Sequence, residues 1–354
     1  MIYRENGQFK TSYRADQQIF PILQDRAFML GLSALALVAV PFGASDYMFR
    51  AILIPALILS LGAIGLNLLV GYCGQISLGA GGIMAVGAYA AYNFFIRVPQ
   101  LNFLVVLILA GLCAAFVGML FGIPSLRIKG LYLAVATLAA QFFTDWLFSR
   151  AGWFTNYTPS GSVSTPTLTM FGWAIDTPTE KYLLLLGLVF VFALCAKNLV
   201  RGHVGRAWMA TRDMDVAAEV IGIRPMYAKL TAFGVSSFYL GVAGALWGFV
   251  YLGSWEPLAF NINLSFSLLF MIIIGGLGSI LGNFLGTAFI VILPLLLNRI
   301  PASIGVHLST ATVSHLESMI FGGLIIFFLI VEPHGLARLW SIGKEKLRLW
   351  PFPH

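Results

Sequence analysis

Charged residues are scarce in this chain of 354 residues. Only 10% of the residues are Asp, Glu, Lys or Arg, whereas 59% are hydrophobic and the mean hydropathy is +0.89. Roughly a quarter of the residues in an ordinary soluble domain are charged, so this composition excludes a water-soluble globule. The chain is predicted to be an all-α, polytopic membrane protein.

Cysteine is also rare, and the three cysteines lie far apart within apolar segments. Cys73, Cys113 and Cys195 have no neighbouring His, Asp or Glu that would complete a ligand set. This spacing indicates neither a disulfide framework nor a metal site. We therefore expect no metal and no cofactor on this chain.

Motifs of catalysis are missing as well. The sequence contains no H-E-x-x-H, no G-x-S-x-G and no G-x-x-x-x-G-K-[ST] string, and its five histidines are dispersed. Without the last of these motifs the chain cannot hydrolyse ATP by P-loop chemistry. We predict that it is not an enzyme, and that any ATP and Mg²⁺ that energise it are bound by another polypeptide.

An N-terminal leader is not evident either. Residues 1–26 are polar and carry four Lys or Arg, and the first apolar run begins only at Ala27. That position is too late for an ordinary secretory signal. We interpret residues 1–26 as a retained cytoplasmic arm.

Long apolar runs dominate the rest of the sequence. A membrane helix needs about 20 mostly apolar residues, and about ten spans fit. They lie at 27–45, twice within 51–96, at 101–123, 130–148, 182–196 and 230–252, twice within 258–298, and at 317–331. The runs at 182–196 and 317–331 are short, and glycine-rich stretches interrupt the two double runs.

The placement of Lys and Arg sets the expected orientation. With the N-terminus inside, ten spans put the arm, the turn at 127–129, the loop 197–229 and the tail 332–354 on the cytoplasmic side. These segments hold sixteen of the 21 Lys and Arg residues, and the opposite side holds five. The positive-inside rule thus accounts for the net charge of +7 without nucleic acid. The predicted organisation is the arm, a transmembrane domain at 27–331 and the tail, with an outer segment at 150–181 that caps the bundle.

The glycine-rich stretch 65–82 contains three polar residues at membrane depth, Asn67, Gln75 and Ser77. Glycines in such a stretch either pack helices closely or interrupt a helix so that its backbone lines a path. Because an amide in hydrocarbon needs a partner, the polar side chains are expected to face the bundle interior. We take Asn67, Gln75 and Ser77 as candidates for the translocation path.

A second glycine-rich stretch follows about 200 residues later, and the pairs Gly71-x-x-Gly74 and Gly275-x-x-Gly278 hint at an internal repeat. The second stretch places its last three glycines four residues apart, on one face of a helix. The glycines predicted to pack helices are Gly71, Gly74, Gly79, Gly275, Gly276, Gly278, Gly282 and Gly286.

The loop 201–229 is far more polar than its surroundings and is long enough for one or two short helices outside the membrane. Asp213 or Asp215 is expected to cap the start of one, and Gly222 with Pro225 to end it. A basic amphipathic helix on anionic headgroups is one interpretation. The small apolar residues at 217–221 suit a protein groove better, so we favour a docking helix for a cytoplasmic partner.

Ordered motifs over about residues 50–340 resemble the LivM type of permease from branched-chain amino acid ABC importers. They are Leu66–Gly79, Gly87–Tyr89, Gly130–Ala139, Gly205–Ala207, Arg212–Asp213, Ala217–Gly222, Lys229–Phe233, Gly241–Leu246, Gly275–Ser279 and Glu332–Leu336.

This resemblance implies the permease fold of an ABC importer in a bacterial inner membrane. It implies a second, similar permease subunit, two cytoplasmic ATP-binding subunits and a periplasmic solute-binding protein as partners. The residues that it places in the helix that couples to the ATPase are Arg212, Asp213, Ala217, Ala218, Glu219 and Gly222.

The outer segment departs from this family's pattern. Where members commonly have a Thr-Gly-Gly-Ser-Asp/Asn-Gly-like run, this chain has Phe154–Ser164. The resemblance therefore leaves open urea, short amides or aromatic acids beside branched-chain amino acids. An ion-coupled secondary transporter is the rival class, but it predicts a mid-membrane acidic residue that is not evident.

Overall fold

The computed structural model describes residues 11–12, 23–126, 130–158, 161–166, 168–170, 173–303, 310–331 and 334–349. Thirteen α-helices longer than one turn lie in these residues. They are α1 (Leu23–Ala34), α2 (Ile54–Asn67), α3 (Ala80–Arg97), α4 (Phe103–Gly122), α5 (Leu131–Arg150), α6 (Pro178–Arg201), α7 (His203–Asp213), α8 (Asp215–Val220), α9 (Pro225–Leu246), α10 (Ile262–Gly275), α11 (Ile280–Ser303), α12 (Thr310–Val331) and α13 (Gly335–Leu349).

Short π-helical, 3₁₀ and single-turn α-helical segments lengthen several of these helices. The segments are Leu35–Ala39 and the turn Val40–Gly43 after α1, Asp46–Met48 and Phe49–Leu53 before α2, Leu68–Tyr72 after α2, Ile123–Leu126 after α4, Trp247–Leu252 after α9 and Pro257–Phe260 before α10. Because of these extensions α2 and α9 belong to continuous helical stretches of 27 and 28 residues, long enough to cross a bilayer.

The prediction of an all-α membrane fold is confirmed. In the described part of the chain, seven helices are long and apolar enough to span a membrane. They are Arg26–Gly43, Asp46–Tyr72, Phe103–Gly122, Pro178–Arg201, Pro225–Leu252, Pro257–Gly275 and Ile280–Leu297. The other three predicted spans correspond to α3, α5 and α12.

Two spans are longer than the sequence predicted. The run 182–196 becomes α6 with 24 residues, and the run 317–331 becomes α12 with 22. In α6, a capping box between Thr177 and Glu180 starts the helix earlier, and the helix continues past Lys197 to Arg201. Long basic side chains at a helix end carry their charges to water, so a charge does not end the helix.

The centre of the bundle is α9, which packs against α2, α3 and α4. Small residues allow these helices to approach closely, as is typical of membrane helix pairs. A Cβ atom on Gly87 of α3 would collide with the backbone of Gly241 on α9, and one on Gly244 of α9 would collide with the backbone of Met84. The α3–α9 crossing therefore depends on glycine on both helices.

Among the residues that the structure describes, four two-residue strands lie at the end of the bundle opposite α7 and α8. Strand β1 (Val163–Ser164) pairs antiparallel with β4 (Ser254–Trp255), and β2 (Thr169–Met170) pairs with β3 (Trp173–Ala174). The Thr165 N–H also donates to the Gly253 carbonyl over 2.9 Å. The segment between α5 and α6 is thus fastened to the turn that follows α9.

We predict that Gly87→Ala destabilises the protein, since the added methyl group must push α3 away from the α9 backbone. Overpacking of this kind costs about 1–3 kcal/mol. Gly187→Ala is the matched control, because a Cβ at Gly187 of α6 meets nothing within 4 Å. Thermal unfolding of both variants in mild detergent measures the effect, and equal melting temperatures would contradict this account of the crossing.

Candidate functional site at the two helix breaks

The first glycine-rich stretch interrupts the helical path between α2 and α3. The helical stretch that begins before α2 stops at Tyr72, and α3 begins at Ala80. Residues 73–79, here called the first break, include Gly74 with a φ of 71°, a conformation that favours glycine. A discontinuous helix and close packing, the two alternatives for these glycines, are thus both present.

Side chains from neighbouring helices satisfy the backbone at the end of this break. The Leu78 N–H donates to the Thr137 hydroxyl over 2.9 Å, and the Gly81 N–H donates to the Ser265 hydroxyl over 2.7 Å. The Gly82 N–H donates to the side-chain oxygen of Gln141. Unpaired backbone groups are costly away from water, so α5 and α10 stabilise the start of α3.

Gln141 is fully buried and uses both ends of its amide. Its oxygen accepts from Gly82 and from the Ser265 hydroxyl at 3.1 Å, and its nitrogen donates to the Phe260 carbonyl at 2.8 Å and to Asp145 at 3.1 Å. Sequence analysis missed this residue. An amide in the predicted membrane span 130–148 was the available signal, by the same reasoning that selected Gln75.

The second glycine-rich stretch interrupts the path between α10 and α11. Residues 276–279, here called the second break, contain Gly276 with a φ of 116° and Gly278 with a φ of 76°. Gly278 therefore lies in the turn and not on the face of α11. Gly282 and Gly286 do lie on α11, where their backbones approach Gly275 and Met271 of α10 too closely for a side chain.

The two breaks meet at a buried pair of amides. The Asn67 side-chain nitrogen donates to the Asn283 side-chain oxygen at 2.7 Å and to the Ser279 carbonyl at 3.2 Å. The Asn67 oxygen accepts from the Gly278 N–H at 2.9 Å. We call Asn67, Asn283, Gly278 and Ser279 the amide clamp. Asn67 and Asn283 are both fully buried, so the clamp joins residues some 210 positions apart in the interior of the bundle.

Three glycines in or just before the first break are in contact with other parts of the site. A Cβ on Gly71 would collide with the Asn67 side chain and the Gly278 backbone, and one on Gly74 would lie 2.7 Å from Cγ of Arg212. Similarly, a Cβ on Gly79 would lie 2.6 Å from the Thr137 carbonyl. The predicted packing glycines of the first stretch thus surround the clamp and the end of α7.

Arg212 connects α7 to the first break. Its guanidinium donates from Nη1 to the Gly71 carbonyl over 2.8 Å and pairs with Asp213 at 2.8 Å. The freed carbonyl of an interrupted helix is a strong acceptor. Residues predicted separately as path, packing and coupling residues therefore form one connected set: Asn67, Gly71, Gly278 and Arg212.

The α7–α8 segment is anchored to α9 at two more points. Trp208 of α7 is fully buried and donates from Nε1 to the Thr231 hydroxyl at 3.1 Å. Lys229 of α9 is 5% exposed, and its ammonium lies 3.9 Å from the Asp215 carboxylate at the start of α8. A buried charge is costly without a nearby opposite charge, so the ion pair between Asp215 and Lys229 holds α8 in position against α9.

The boundaries of α8 differ from the expectation at one end. Met214 occupies the N-cap and offers no side-chain cap, so the prediction that Asp213 or Asp215 caps this helix was wrong. Asp215 instead occupies the first turn, where its carboxylate interacts favourably with the helix dipole and can face Lys229. At the other end Gly222 has a φ of 90° and ends the helix before Pro225 starts α9.

The outer face of α8 is apolar and exposed. Val216, Val220 and Ile221 are 69%, 83% and 73% exposed, whereas Ala218 is buried against the protein. Ala217 and Glu219 are also exposed. A row of apolar side chains on a short helix that is anchored from behind is suited to insertion into a groove of another protein.

The three candidate path residues have different environments. Asn67 is engaged in the clamp, Gln75 is half-buried, and Ser77 is buried and lines a small pocket between α3, α4, α5 and α9. Thr137, Ser236 and Ser237 add hydroxyls to its wall. Ser236 is fully buried, and its hydroxyl has no partner among the described residues. Whether these residues line a path remains a prediction.

We predict that the amide clamp couples the two breaks energetically. Asn67→Leu or Asn283→Leu leaves a buried amide without its partner, so each substitution lowers the melting temperature. The decrease in the double variant is smaller than the sum of the two single decreases. Interhelical hydrogen bonds in membranes contribute about 0.6–2 kcal/mol, which sets the size of the coupling in a double-mutant cycle.

The control cycle pairs Asn283→Leu with Asn93→Leu, because Asn93 donates to Tyr89 and Phe154 and not to the clamp. In this control cycle the decreases in melting temperature should be additive. Additivity in the Asn67–Asn283 cycle as well would show that the clamp does not join the breaks.

Comparison with known proteins identifies relatives over most of the chain. The family model described as "Branched-chain amino acid transport system / permease component" matches residues 48–329. The high-affinity branched-chain amino acid transport system permease proteins LivM of Escherichia coli and Salmonella typhimurium are 31% and 30% identical over 344 residues, covering 90% of this chain and 76% of each relative. A probable LivM permease protein of Methanocaldococcus jannaschii is 24% identical over 245 residues, covering 65% of this chain and 66% of that protein. No solved structure matches the chain.

Proposed function

The chain belongs to the family of branched-chain amino acid transport permease components, and we propose that it is a permease subunit of an ABC importer that carries a branched-chain amino acid or a related small polar solute inward. The multi-pass helical fold supports this proposal. So do the names of its LivM relatives. The absence of a P-loop string from the sequence agrees with a subunit that does not hydrolyse ATP itself.

The observation that carries the proposal is the hydrogen bond from Arg212 to the Gly71 carbonyl. It joins the α7–α8 segment, whose outer face is exposed and apolar, to a break in a membrane helix. A partner that moves α8 would therefore move the break, and the amide clamp would pass the change to α10 and α11. Two packings of these breaks provide a physical basis for alternating access.

The proposed orientation follows from charge. The loop 197–229, which contains α7 and α8, and the tail 332–354 carry ten of the 21 Lys and Arg residues, so we place them, with the N-terminus, on the cytoplasmic side of a bacterial inner membrane. The turn at 127–129, which shares this side, lies outside the described residues. On this side α8 would meet a cytoplasmic ATP-binding subunit, which binds ATP and Mg²⁺.

The remaining partners are proposed from the family. A second permease subunit would complete the membrane part, and two ATP-binding subunits would drive it. A periplasmic solute-binding protein would deliver the solute to the face that carries β1 and β4. Because the run Phe154–Ser164 departs from the family pattern, urea, short amides or aromatic acids stay as alternatives that uptake assays with each solute would separate.

We predict that Val220→Glu abolishes docking of the ATP-binding subunits. The substitution puts a carboxylate on the most exposed apolar position of α8, and burying an unpaired charge in a groove is costly. Co-purification of the ATP-binding subunits with the tagged chain measures the effect. Leu258→Glu is the matched control, since Leu258 is 72% exposed but lies beyond the opposite end of α9. Equal recovery of the ATP-binding subunits with both variants would show that α8 is not part of the interface.

Arg212→Met is expected to uncouple ATP hydrolysis from uptake. The variant removes the donor to Gly71 but leaves the outer face of α8 unchanged, so ATPase subunits should still bind and hydrolyse ATP. Uptake into proteoliposomes should fall about tenfold or more, as for the loss of a charge-assisted hydrogen bond of about 1.5–3 kcal/mol. Arg224→Met is the control, because Arg224 is an exposed arginine of the same loop that packs over Tyr227 instead. Normal uptake by Arg212→Met would refute the coupling role of this residue.

A further inference from the structure

The C-terminal helix α13 is strongly amphipathic. Its sequence GLARLWSIGKEKLRL repeats apolar or small residues three and four positions apart, at Leu336, Leu339, Trp340 and Gly343. Four Lys or Arg and one Glu occupy other positions of the same 15 residues. The helix is too short and too charged to span a bilayer, but this pattern is typical of a helix that lies in the plane of the membrane surface.

The start of α13 is fixed against the second break. Gly335 has a φ of 65°, and a Cβ there would lie 2.6 Å from the Gly276 nitrogen and the Ile274 carbonyl. The next residue, Leu336, packs against the hydrophobic core. The helix is therefore not a loose tail, because its first turn is held at the end of α10.

Trp340 marks the depth at which α13 lies. Its ring is 6.2 Å from the ring of Phe28 on α1. The stretch Arg26–Gly43 has no buried residue in its most apolar window, so the side chains of α1 are open to the surroundings of the chain. Phe28 is five residues from the start of α1, about 8 Å along the helix axis. Trp340 thus lies near the boundary between headgroups and acyl chains, where tryptophan is favoured.

Apolar exposure and positive charge coincide at this boundary. Leu339 and Trp340 are 49% and 48% exposed, next to an α1 surface that is itself apolar and exposed. Lys346 is exposed and Lys344 is half-buried on the following turns. Each cation near a negatively charged leaflet contributes about 1 kcal/mol of attraction, so this combination fits lipids with an anionic headgroup.

We propose that α13 and the adjoining start of α1 form a surface that binds anionic phospholipid. Leu339 and Trp340 contact the upper acyl chains, and Lys344 and Lys346 bind the phosphates. Because Gly335 is packed on the second break, bound lipid holds α13 against this break. The surface is distinct from the outer face of α8, and its existence does not depend on the identity of the transported solute.

The test uses the full chain, with any subunits that co-purify, in nanodiscs that contain brominated phosphatidylglycerol or brominated phosphatidylcholine. Bromine quenches tryptophan fluorescence on contact, and the difference between wild type and Trp340→Phe isolates the Trp340 signal. We expect this signal to be quenched by both lipids, with half-maximal quenching at roughly thirtyfold less phosphatidylglycerol, as for the attraction of two cations. The double variant Lys344→Gln/Lys346→Gln should lose the preference and keep the quenching.

The matched control is Arg150→Gln/Lys181→Gln, which removes two cations from the ends of α5 and α6 on the opposite side. It should retain the preference. Native mass spectrometry supplies a second measurement that does not rely on Trp340→Phe, and it should detect fewer phosphatidylglycerol molecules on the Lys344→Gln/Lys346→Gln variant than on the control. Trp340 protected from both brominated lipids would show that another protein covers this surface. Equal quenching by the two lipids in the wild type would refute the anionic preference.

Discussion

The Asn67–Asn283 amide pair is the interaction on which the arrangement of the two breaks depends. An interrupted membrane helix exposes N–H and C=O groups that lipid cannot satisfy. Here the Asn67 side chain bonds three groups of the second break and its flank, including the Gly278 N–H and the Ser279 carbonyl. One amide thereby makes two helix interruptions compatible with burial and links them to each other.

Glycine makes this arrangement sterically possible. The carbonyl of Gly71 is accessible to Arg212 and its α-carbon lies against Asn67, since no side chain occupies the space between them. At the second break, positive φ values at Gly276 and Gly278 allow the chain to turn within a few residues. The same residues that weaken a helix therefore bring three parts of the chain into contact: the breaks, α7 and the start of α13. These contacts provide a route by which a displacement at one part can reach the others, because packed interiors transmit strain.

Much of the architecture follows from local sequence. Hydropathy placed the ten apolar runs at helices, because a span needs only length and the absence of charge. The same criterion placed the ends of α6 wrongly, since Thr177, Glu180 and the basic side chains at its last turn extend the helix beyond its apolar run. In the site, Asn67 stood out as an amide in a glycine-rich stretch, whereas Gln141 and Asn283 were missed. Their importance lies in partners more than 100 residues away.

The sequence by itself determined that the chain is a helical membrane protein, that two glycine-rich stretches interrupt it, and that a polar segment around Arg212 lies outside the apolar runs. These are properties of composition and short-range spacing. Only the tertiary structure decided that the two stretches touch, that Arg212 bonds the first of them, and that Gly335 packs on the second. The reason is physical, because a buried hydrogen bond or a backbone contact needs two partners. The packing of the helices determines which residue is the second partner, and the residues adjacent in sequence to the first partner do not.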